Sequence, residues 1–350
     1  GTTDRTINGA QYTGAPLMQS APTYASIGNH EVMGRYSDTT PMNSQFNDPT
    51  TRAYAEALIE RYNSDSDPSN DVSEADREQF ISDHSFNTTS WEEVFTLPES
   101  DTGDERYYAV TIGDVRVIVL EVARIWRGNA VGSKSKYSEV PGASVDEYGF
   151  GQHIFEPIGA GSDQLAFLEK ELASDEFQSA KYKLVMYHWQ YHSLGGNQIP
   201  AYTDPVASTV TDPVSGQDMT IYDYPLAQDY LTNYVEPLLE QYGVDMVFNA
   251  HSHLWNRFRT DSGMNILETS NNGNTYNAFL DTKSRTDAWP SALNSGNKYA
   301  ALAGNWDAAD YVLQGDPYGL SPIAPTLHSL PNATPDEPYL MSNTVTEFSI

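Results

Sequence analysis

Residues 244–257 read VDMVFNAHSHLWNR, and residues 183–188 read KLVMYH. Each segment opens with a largely apolar run of the length of a buried strand. His188 follows its run directly, and His251 follows the other run after two residues. Helical patterns precede both runs, over residues 162–174 and 226–241, and Pro237 either kinks the second helix or restarts it. Strands that alternate with helices predict an α/β fold, in which ligands bind just beyond the carboxyl ends of the strands.

Further elements are predicted upstream of these segments. Two β-rich runs, 107–112 and 116–121, are separated by a Gly-Asp pair at 113–114, which is a strong signal for a β-hairpin. Two helices are predicted, one over residues 51–62 and one near 73–80. We interpret 1–350 as one domain, with an acidic insertion at about 35–103 and a loop-rich C-terminal region at about 275–341.

The composition is strongly acidic. Asp and Glu number 48 against 19 Lys and Arg, which gives a formal net charge of −29. A field of this sign repels nucleic acid, so no nucleic-acid partner is predicted. No apolar run approaches the length of a membrane-spanning helix, and no cysteine is present. Any metal must therefore be held by nitrogen and oxygen, and the composition favours an extracellular or periplasmic protein.

The polar residues that follow the strands form a recognisable set of metal ligands. Neutral imidazoles and amide oxygens bind Fe, Mn and Zn ions well. His251 and His253 are two residues apart, so on an extended segment both side chains face the same way. His188 follows the preceding strand, and a Gly-Asn-His-Glu block stands at residues 28–31.

This order of motifs resembles the calcineurin-like metallophosphoesterases, and among them the purple acid phosphatase-like proteins. The family has a Gly-Asn-His-Asp/Glu block, an isolated His and a Gly-His-x-His block, whose Gly is replaced here by Ala250. The resemblance implies a four-layered α/β/β/α sandwich with mixed sheets. It also implies two divalent or trivalent metal ions (Fe, Mn or Zn) and hydrolysis of small phosphate esters, most readily monoesters, by a hydroxide bound to both metals.

The resemblance also implies roles for individual residues of the metal site. Asn29, His188 and His251 would bind one metal, and His253 would bind the other. His30 would protonate the leaving alcohol or stabilise charge on the phosphoryl group, and Glu31 would orient His30.

Two further residues are candidates for contact with substrate. His192 stands where purple acid phosphatases often place a substrate-contacting His, which gives it a binding or catalytic role by resemblance. Arg257 is predicted either to meet a phosphate oxygen or to form a structural ion pair.

The pattern departs from the family at its front. The Asp-x-His and Gly-Asp-x-x-Asp blocks, which supply the other ligands, do not occur before Gly28. Either the natural polypeptide starts earlier, or a second chain completes the site, or the site has degenerated. We expect an upstream segment.

Two alternative functions stay open from the sequence. The chain could be a non-catalytic extracellular structural or adhesive protein built on the same scaffold, because its motif set is incomplete and its acidity is extreme. It could instead be a secreted phosphodiesterase or nucleotidase, which would differ from a phosphomonoesterase only in details of the pocket.

Overall fold

The structure of this chain is a computed structural model. It describes residues 5–7, 10–12, 21–32, 51–63, 73–127, 138–139, 151–195, 201–204, 206–211, 216, 218–269, 279, 315–323, 326–327 and 340–341. Within these ranges no helix has both the length and the apolar character that crossing a bilayer requires.

Groups of helices separate groups of strands along the described chain. The helices are α1 (Arg52–Asn63), α2 (Glu74–His84), α3 (Thr89–Val94), α4 (Asp163–Leu172), α5 (Asp175–Ser179) and α6 (Glu236–Gln241), with a 3₁₀ turn at Leu226–Gln228 and a π-helix at Leu231–Val235. The strands are β1 (Arg5–Ile7), β2 (Ala10–Tyr12), β3 (Tyr108–Ile112), β4 (Val115–Val119), β5 (Arg124–Arg127), β6 (Ser138–Glu139), β7 (Gly151–Ile154), β8 (Tyr182–Met186), β9 (Val206–Thr211), β10 (Asp218–Asp223), β11 (Met246–Asn249), β12 (Trp255–Arg259), β13 (Asn265–Thr269), β14 (Thr326–Leu327) and β15 (Leu340–Met341).

One large mixed sheet organises the molecule. Its strand order is β15-β14-β12-β13-β11-β8-β4-β3. Strands β4, β8, β11 and β13 pair in parallel, whereas β3 and β12 run antiparallel to their neighbours. The predicted α/β class with a mixed sheet is confirmed. The described residues hold a single sheet of this size, so the second large sheet of the predicted four-layered sandwich stays a prediction.

Both faces of the large sheet are covered. Ile118 and Val119 are neighbours on β4 and are fully buried, but they enter different hydrophobic clusters because consecutive strand residues point to opposite faces. The cluster of Ile118 includes α4 and α6. The cluster of Val119 includes Ile27, Trp91 and Leu97, so the segment before the Gly-Asn-His-Glu block packs directly on the sheet.

Local signals explain the elements that were predicted correctly. The hairpin forms as β3 and β4, with Gly113 at φ +60° in its turn. Helix α4 begins where Ser162 Oγ accepts the N–H of Leu165, and its buried Leu165, Leu168 and Leu172 lie on one face. Residues 226–241 do not form one helix, because Pro237 restarts an α-helix in its first turn after a π-helix.

The predicted insertion has two different parts. Helices α1 and α2 pack on each other through Ala55, Ile59 and Ile81, which form a small cluster of their own. Residues of α3 and the loop after it join the core beneath the large sheet instead. The boundaries at about 35–103 stay a prediction, since residues 33–50 and 64–72 lie outside the described residues.

Candidate metal centre

The parallel pairing of β8 and β11 brings His188 and His251 together. The two strands are neighbours, so their carboxyl ends meet at the same edge of the sheet. Backbone pairing continues past the strand ends, because Tyr187 N–H donates to Phe248 O (3.0 Å) and Ala250 N–H donates to His188 O (2.9 Å). The register of the sheet therefore fixes the relative height of the two imidazoles.

A tight turn over residues 28–31 brings Asn29 to the same place. Glu31 N–H donates to Gly28 O (3.2 Å), and the Glu31 carboxylate accepts the N–H of Gly28 (3.0 Å). The segment before the turn is anchored on β3, where the Tyr108 hydroxyl donates to Ala25 O (2.9 Å). Asn29 itself is 4% exposed.

Three donor atoms from these distant segments converge on one point. Asn29 Oδ1 lies 2.8 Å from His188 Nε2 and 3.1 Å from His251 Nδ1, and the two ring nitrogens are 2.9 Å apart. Three linear hydrogen bonds cannot close such a triangle, because an N–H aimed at one corner turns away from the other. The triangle is therefore poorly explained by hydrogen bonding alone.

The triangle has the dimensions of a metal site. Donors bound at about 2.1 Å and at right angles to one another stand about 3.0 Å apart, which matches the three sides. Burial and then the nearby His30 and His253 lower the pKa of His188 to about 3. Burial and then His188 also lower the pKa of His251 well below its usual value, so both rings stay neutral and keep lone pairs for a metal.

The amide oxygen is needed to complete this donor set. Among the described residues, no group of three or more His, Cys, Asp or Glu side chains is placed to hold a metal ion. Asn29 supplies the third donor instead. Three protein donors on one side of an ion leave other coordination positions open, as catalytic metal sites require. The residues present fit a metal ion of the kind that the sequence predicts.

His30 and His253 lie in the electrostatic neighbourhood of the triangle. The pKa of His30 is lowered by burial first, raised by Glu31, and lowered again by His253. His253 also contributes to the lowered pKa values of His188 and His251. The role of His253 as ligand of a second metal stays a prediction.

Glu31 has a clear local task in the structure. Its carboxylate closes the 28–31 turn through the N–H of Gly28, and its charge acts on His30. The predicted orientation of His30 by Glu31 stays a prediction, whereas the turn that presents Asn29 depends visibly on this carboxylate.

His192 is placed differently from its predicted role. It is 2% exposed, its Nδ1 lies 2.7 Å from Asp316 Oδ2, and its Nε2 lies 3.0 Å from Glu236 Oε1. Burial acts to lower its pKa, but the two carboxylates outweigh burial and raise it to about 9. Both ring nitrogens are engaged, so this placement does not support contact between His192 and a substrate. The imidazolium ties the loop after β8 to α6 and to residues 315–320.

Arg257 also has a structural partner. It lies on β12, and its guanidinium donates to Asn265 Oδ1 (2.9 Å) across the β12–β13 pair. The partner is an amide and not the acidic group of the predicted ion pair. Contact with a phosphate oxygen stays a prediction.

Sequence reasoning missed the aromatic support of His251. The Trp189 ring lies 3.9 Å from the His251 ring, and the Arg124 guanidinium lies 3.9 Å from the centre of the indole. Arg124 is 1% exposed and donates to Ala201 O (2.8 Å). The positions of Trp189 and Arg124 in the sequence offered a clue. Trp189 directly follows the predicted ligand His188, and Arg124 comes shortly after β4, whose carboxyl end lies at the same edge of the sheet.

Position 28 requires glycine because the Glu31 and His188 side chains pack closely against its backbone. A Cβ at this position would stand 2.8 Å from Glu31 Oε2 and 2.9 Å from His188 Nδ1. We expect Gly28→Ala to displace the His188 ring and weaken cobalt binding at least about 10-fold, the lower end of the range for disturbed ligand support. Spectroscopic titration with Co²⁺ measures this.

Gly113→Ala is the control for this substitution. Gly113 lies at the opposite end of β4, and its Cβ would meet nothing within 4 Å. Because Gly113 has φ +60°, an alanine there also strains the backbone. The strain arises far from the candidate metal centre, so it tests whether backbone strain by itself weakens cobalt binding. Equal cobalt affinity in the two variants would contradict the assigned crowding.

Comparisons with known proteins place this chain only loosely. No protein-family model matches it, and no curated protein matches it. Similar solved structures include purple acid phosphatase PPD1 from yellow lupin seeds (15% identity, TM-score 0.29, covering 54% of this chain and 26% of that chain). They also include GAP50, the anchor in the inner membrane complex of Plasmodium (12%, 0.22, 47% and 36%), and PhoD (12%, 0.26, 52% and 32%). The chain thus spans well under half of each of these proteins, and likenesses this weak assign neither fold nor function.

Proposed function

We propose that this chain carries a metal-dependent phosphoesterase site in which Asn29, His188 and His251 hold one metal ion. The observation that supports this is the triangle of donor atoms with sides of 2.8, 2.9 and 3.1 Å. The donors come from positions separated by 63 to 222 residues, so local sequence does not explain why they meet.

When bound, an ion at this site would polarise a phosphoryl oxygen and acidify a coordinated water molecule. The chain's own residues would orient the donors and keep them unprotonated. The Trp189 ring packs against the His251 ring at 3.9 Å with an interplanar angle of 33°, and this contact would help to orient the imidazole. The backbone hydrogen bonds that continue the β8–β11 pairing hold His188 level with His251 at the edge of the sheet.

His30 is more exposed than the partly buried His188, His251 and His253, so it is the histidine of this cluster most open to a substrate. Burial lowers its pKa, which disfavours the imidazolium that a general acid needs. A hydrogen bond from the neutral ring to a phosphoryl oxygen is therefore the role that we propose. His253 would hold a second ion together with ligands from an upstream segment or a second chain.

A small phosphate ester is the proposed substrate. The net charge of −29 opposes the approach of any anion, so an anionic substrate requires a local cationic centre. A metal ion beside neutral imidazoles supplies such a centre without adding basic side chains. A secreted location is proposed from the composition.

The metal dependence can be tested directly on protein that carries its complete natural N-terminus. We expect one to two Fe, Mn or Zn ions per chain by mass spectrometry and hydrolysis of p-nitrophenyl phosphate. Removal of the ions with dipicolinate is expected to abolish turnover, and Mn²⁺ or Zn²⁺ to restore it. Full activity in the metal-free protein, or a protein that retains no transition metal, would exclude the proposal.

A further inference from the structure

A fully buried carboxylate lies directly behind the candidate metal centre. Glu268 is on β13, opposite Asn249 of β11 and Asn256 of β12, and its exposure is 0%. Its Oε1 accepts the backbone N–H of Ser252 (3.0 Å), and its Oε2 accepts the hydroxyl of Ser193 (2.7 Å) and the amide of Asn256.

These bonds join both loops that carry candidate ligands. Ser252 lies between His251 and His253, and Ser193 lies five residues after His188. One carboxylate therefore accepts hydrogen bonds from the loop after β8 and from the loop after β11. Neither serine is itself a candidate ligand, so the contact acts through the backbone that presents the histidines.

The loop after β11 has a backbone that needs outside support. His251 has φ +76° and His253 has φ +55°, and both lie in the left-handed region that costs about 1–2 kcal/mol for a residue with a Cβ. Such conformations persist where the surroundings determine them. Ser252 N–H also lies 3.0 Å from Ala250 O, which is a bond within the loop, so Glu268 provides the contact from outside.

Packing around Ser252 is equally close. The Gln190 side chain donates to the Ser252 hydroxyl, and a Cβ on Gly195 would stand 2.4 Å from that hydroxyl oxygen. Gly195 N–H donates to Ser193 Oγ (2.9 Å), which directs the serine proton towards Glu268. The Ser252 N–H and the Ser193 hydroxyl thus both donate to the same buried carboxyl group, that of Glu268.

We propose that Glu268 is a positioning residue of the metal centre, which holds the left-handed 251–253 loop so that His251 points at Asn29 and His188. The importance for metal binding rests on the proposed function. The loop conformation is a property of the protein without metal, and it can be measured separately.

The test compares Glu268→Gln with Glu121→Gln. The first substitution presents an NH₂ group to donors that need an acceptor, so at least one bond to the ligand loops is lost. Glu121 is a matched control, because it is a carboxylate at 1% exposure beside β4 whose side-chain partner is Arg106 and not a ligand loop.

Two readouts are taken on each folded variant. Backbone ¹³Cα shifts and ³J(HN,Hα) couplings of His251 and His253 report the left-handed conformation in the metal-free protein. Titration with Co²⁺ reports affinity for metal. For Glu268→Gln we expect the left-handed signature to be lost and cobalt affinity to fall about 10- to 100-fold, with neither change in Glu121→Gln.

The remaining outcomes are also decisive. Left-handed signatures and cobalt affinity equal to those of the Glu121 variant would overturn the proposal. If Glu268→Gln does not fold, Glu268→Asp draws the carboxyl group back from the Ser252 N–H, and unchanged histidine signals in that variant would overturn the proposal too. If wild type binds no Co²⁺ but the signature is lost in Glu268→Gln, the positioning role stands and the proposed phosphoesterase function fails.

Discussion

Replacing His188 by alanine is expected to abolish metal-dependent hydrolysis. One of three donor atoms is lost, and a donor in a protein site contributes several kcal/mol, so affinity should fall on the order of 1,000-fold. Titration with Co²⁺ and turnover of p-nitrophenyl phosphate measure the two effects. Circular dichroism on the metal-free variant establishes that the fold is kept.

The matched control is His84→Ala. His84 ends α2, and its Nδ1 lies 2.8 Å from Phe80 O of the same helix, so it has no place in the triangle. This variant should bind metal and turn over substrate as wild type does. Turnover of His188→Ala at the wild-type rate would mean that hydrolysis takes place somewhere other than at the triangle.

The second large effect concerns His192 and stability. Its side chain lies between Asp316, which is buried, and Glu236, which is 17% exposed. Removing one partner of a buried charged group costs about 3–5 kcal/mol, because the remaining charges lose their compensation. We expect His192→Ala to lower the free energy of unfolding by this amount at pH 6, measured by urea denaturation.

The stability should also depend on pH with a definite sign. The pKa of His192 is about 9 in the folded protein, compared with 6.5 for the ordinary side chain. Its contribution is therefore complete below pH 6.5, declines between pH 6.5 and 9, and is absent above. The difference amounts to about 3 kcal/mol. His192→Gln should remove this decline and His84→Gln should keep it, and a decline of equal size in both would refute the assignment.

Turn and capping residues predicted the elements whose ends are set by neighbouring residues in the sequence. The hairpin at Gly113 and the cap at Ser162 follow from a few neighbouring residues. The segment over residues 226–241 shows the limit of such signals. The Asp229 carboxylate accepts the N–H of Leu231 (2.9 Å) and the hydroxyl of Tyr318 (2.7 Å). Tyr318 is 89 residues away in the chain, so the sequence near Asp229 does not reveal this contact.

The candidate site was predictable to the same extent. Asn29, His188 and His251 were found because ordered motifs at strand ends mark ligand positions, and the structure brings these three together. The role predicted for His192 rests on its distance from His188 along the chain. Its partner in the structure, Asp316, is 124 residues away, and no sequence pattern indicates that contact. Glu268 was missed because a single acidic residue in a strand has no recognisable motif.

The three donors lie far apart along the chain, so the proposed metal uptake would have to follow folding. Asn29 and His251 are 222 residues apart, so an unfolded chain would lose much entropy in bringing them together and would bind metal poorly. The β8–β11 pairing brings two of the donors together, so a metal ion would enter a finished site and would not nucleate the fold. Metal would then bind the native state alone and stabilise it by about 2.7 kcal/mol at a concentration about 100 times the Kd. A thermal melt in the presence of each candidate ion would therefore rank the metals by affinity before any substrate is known.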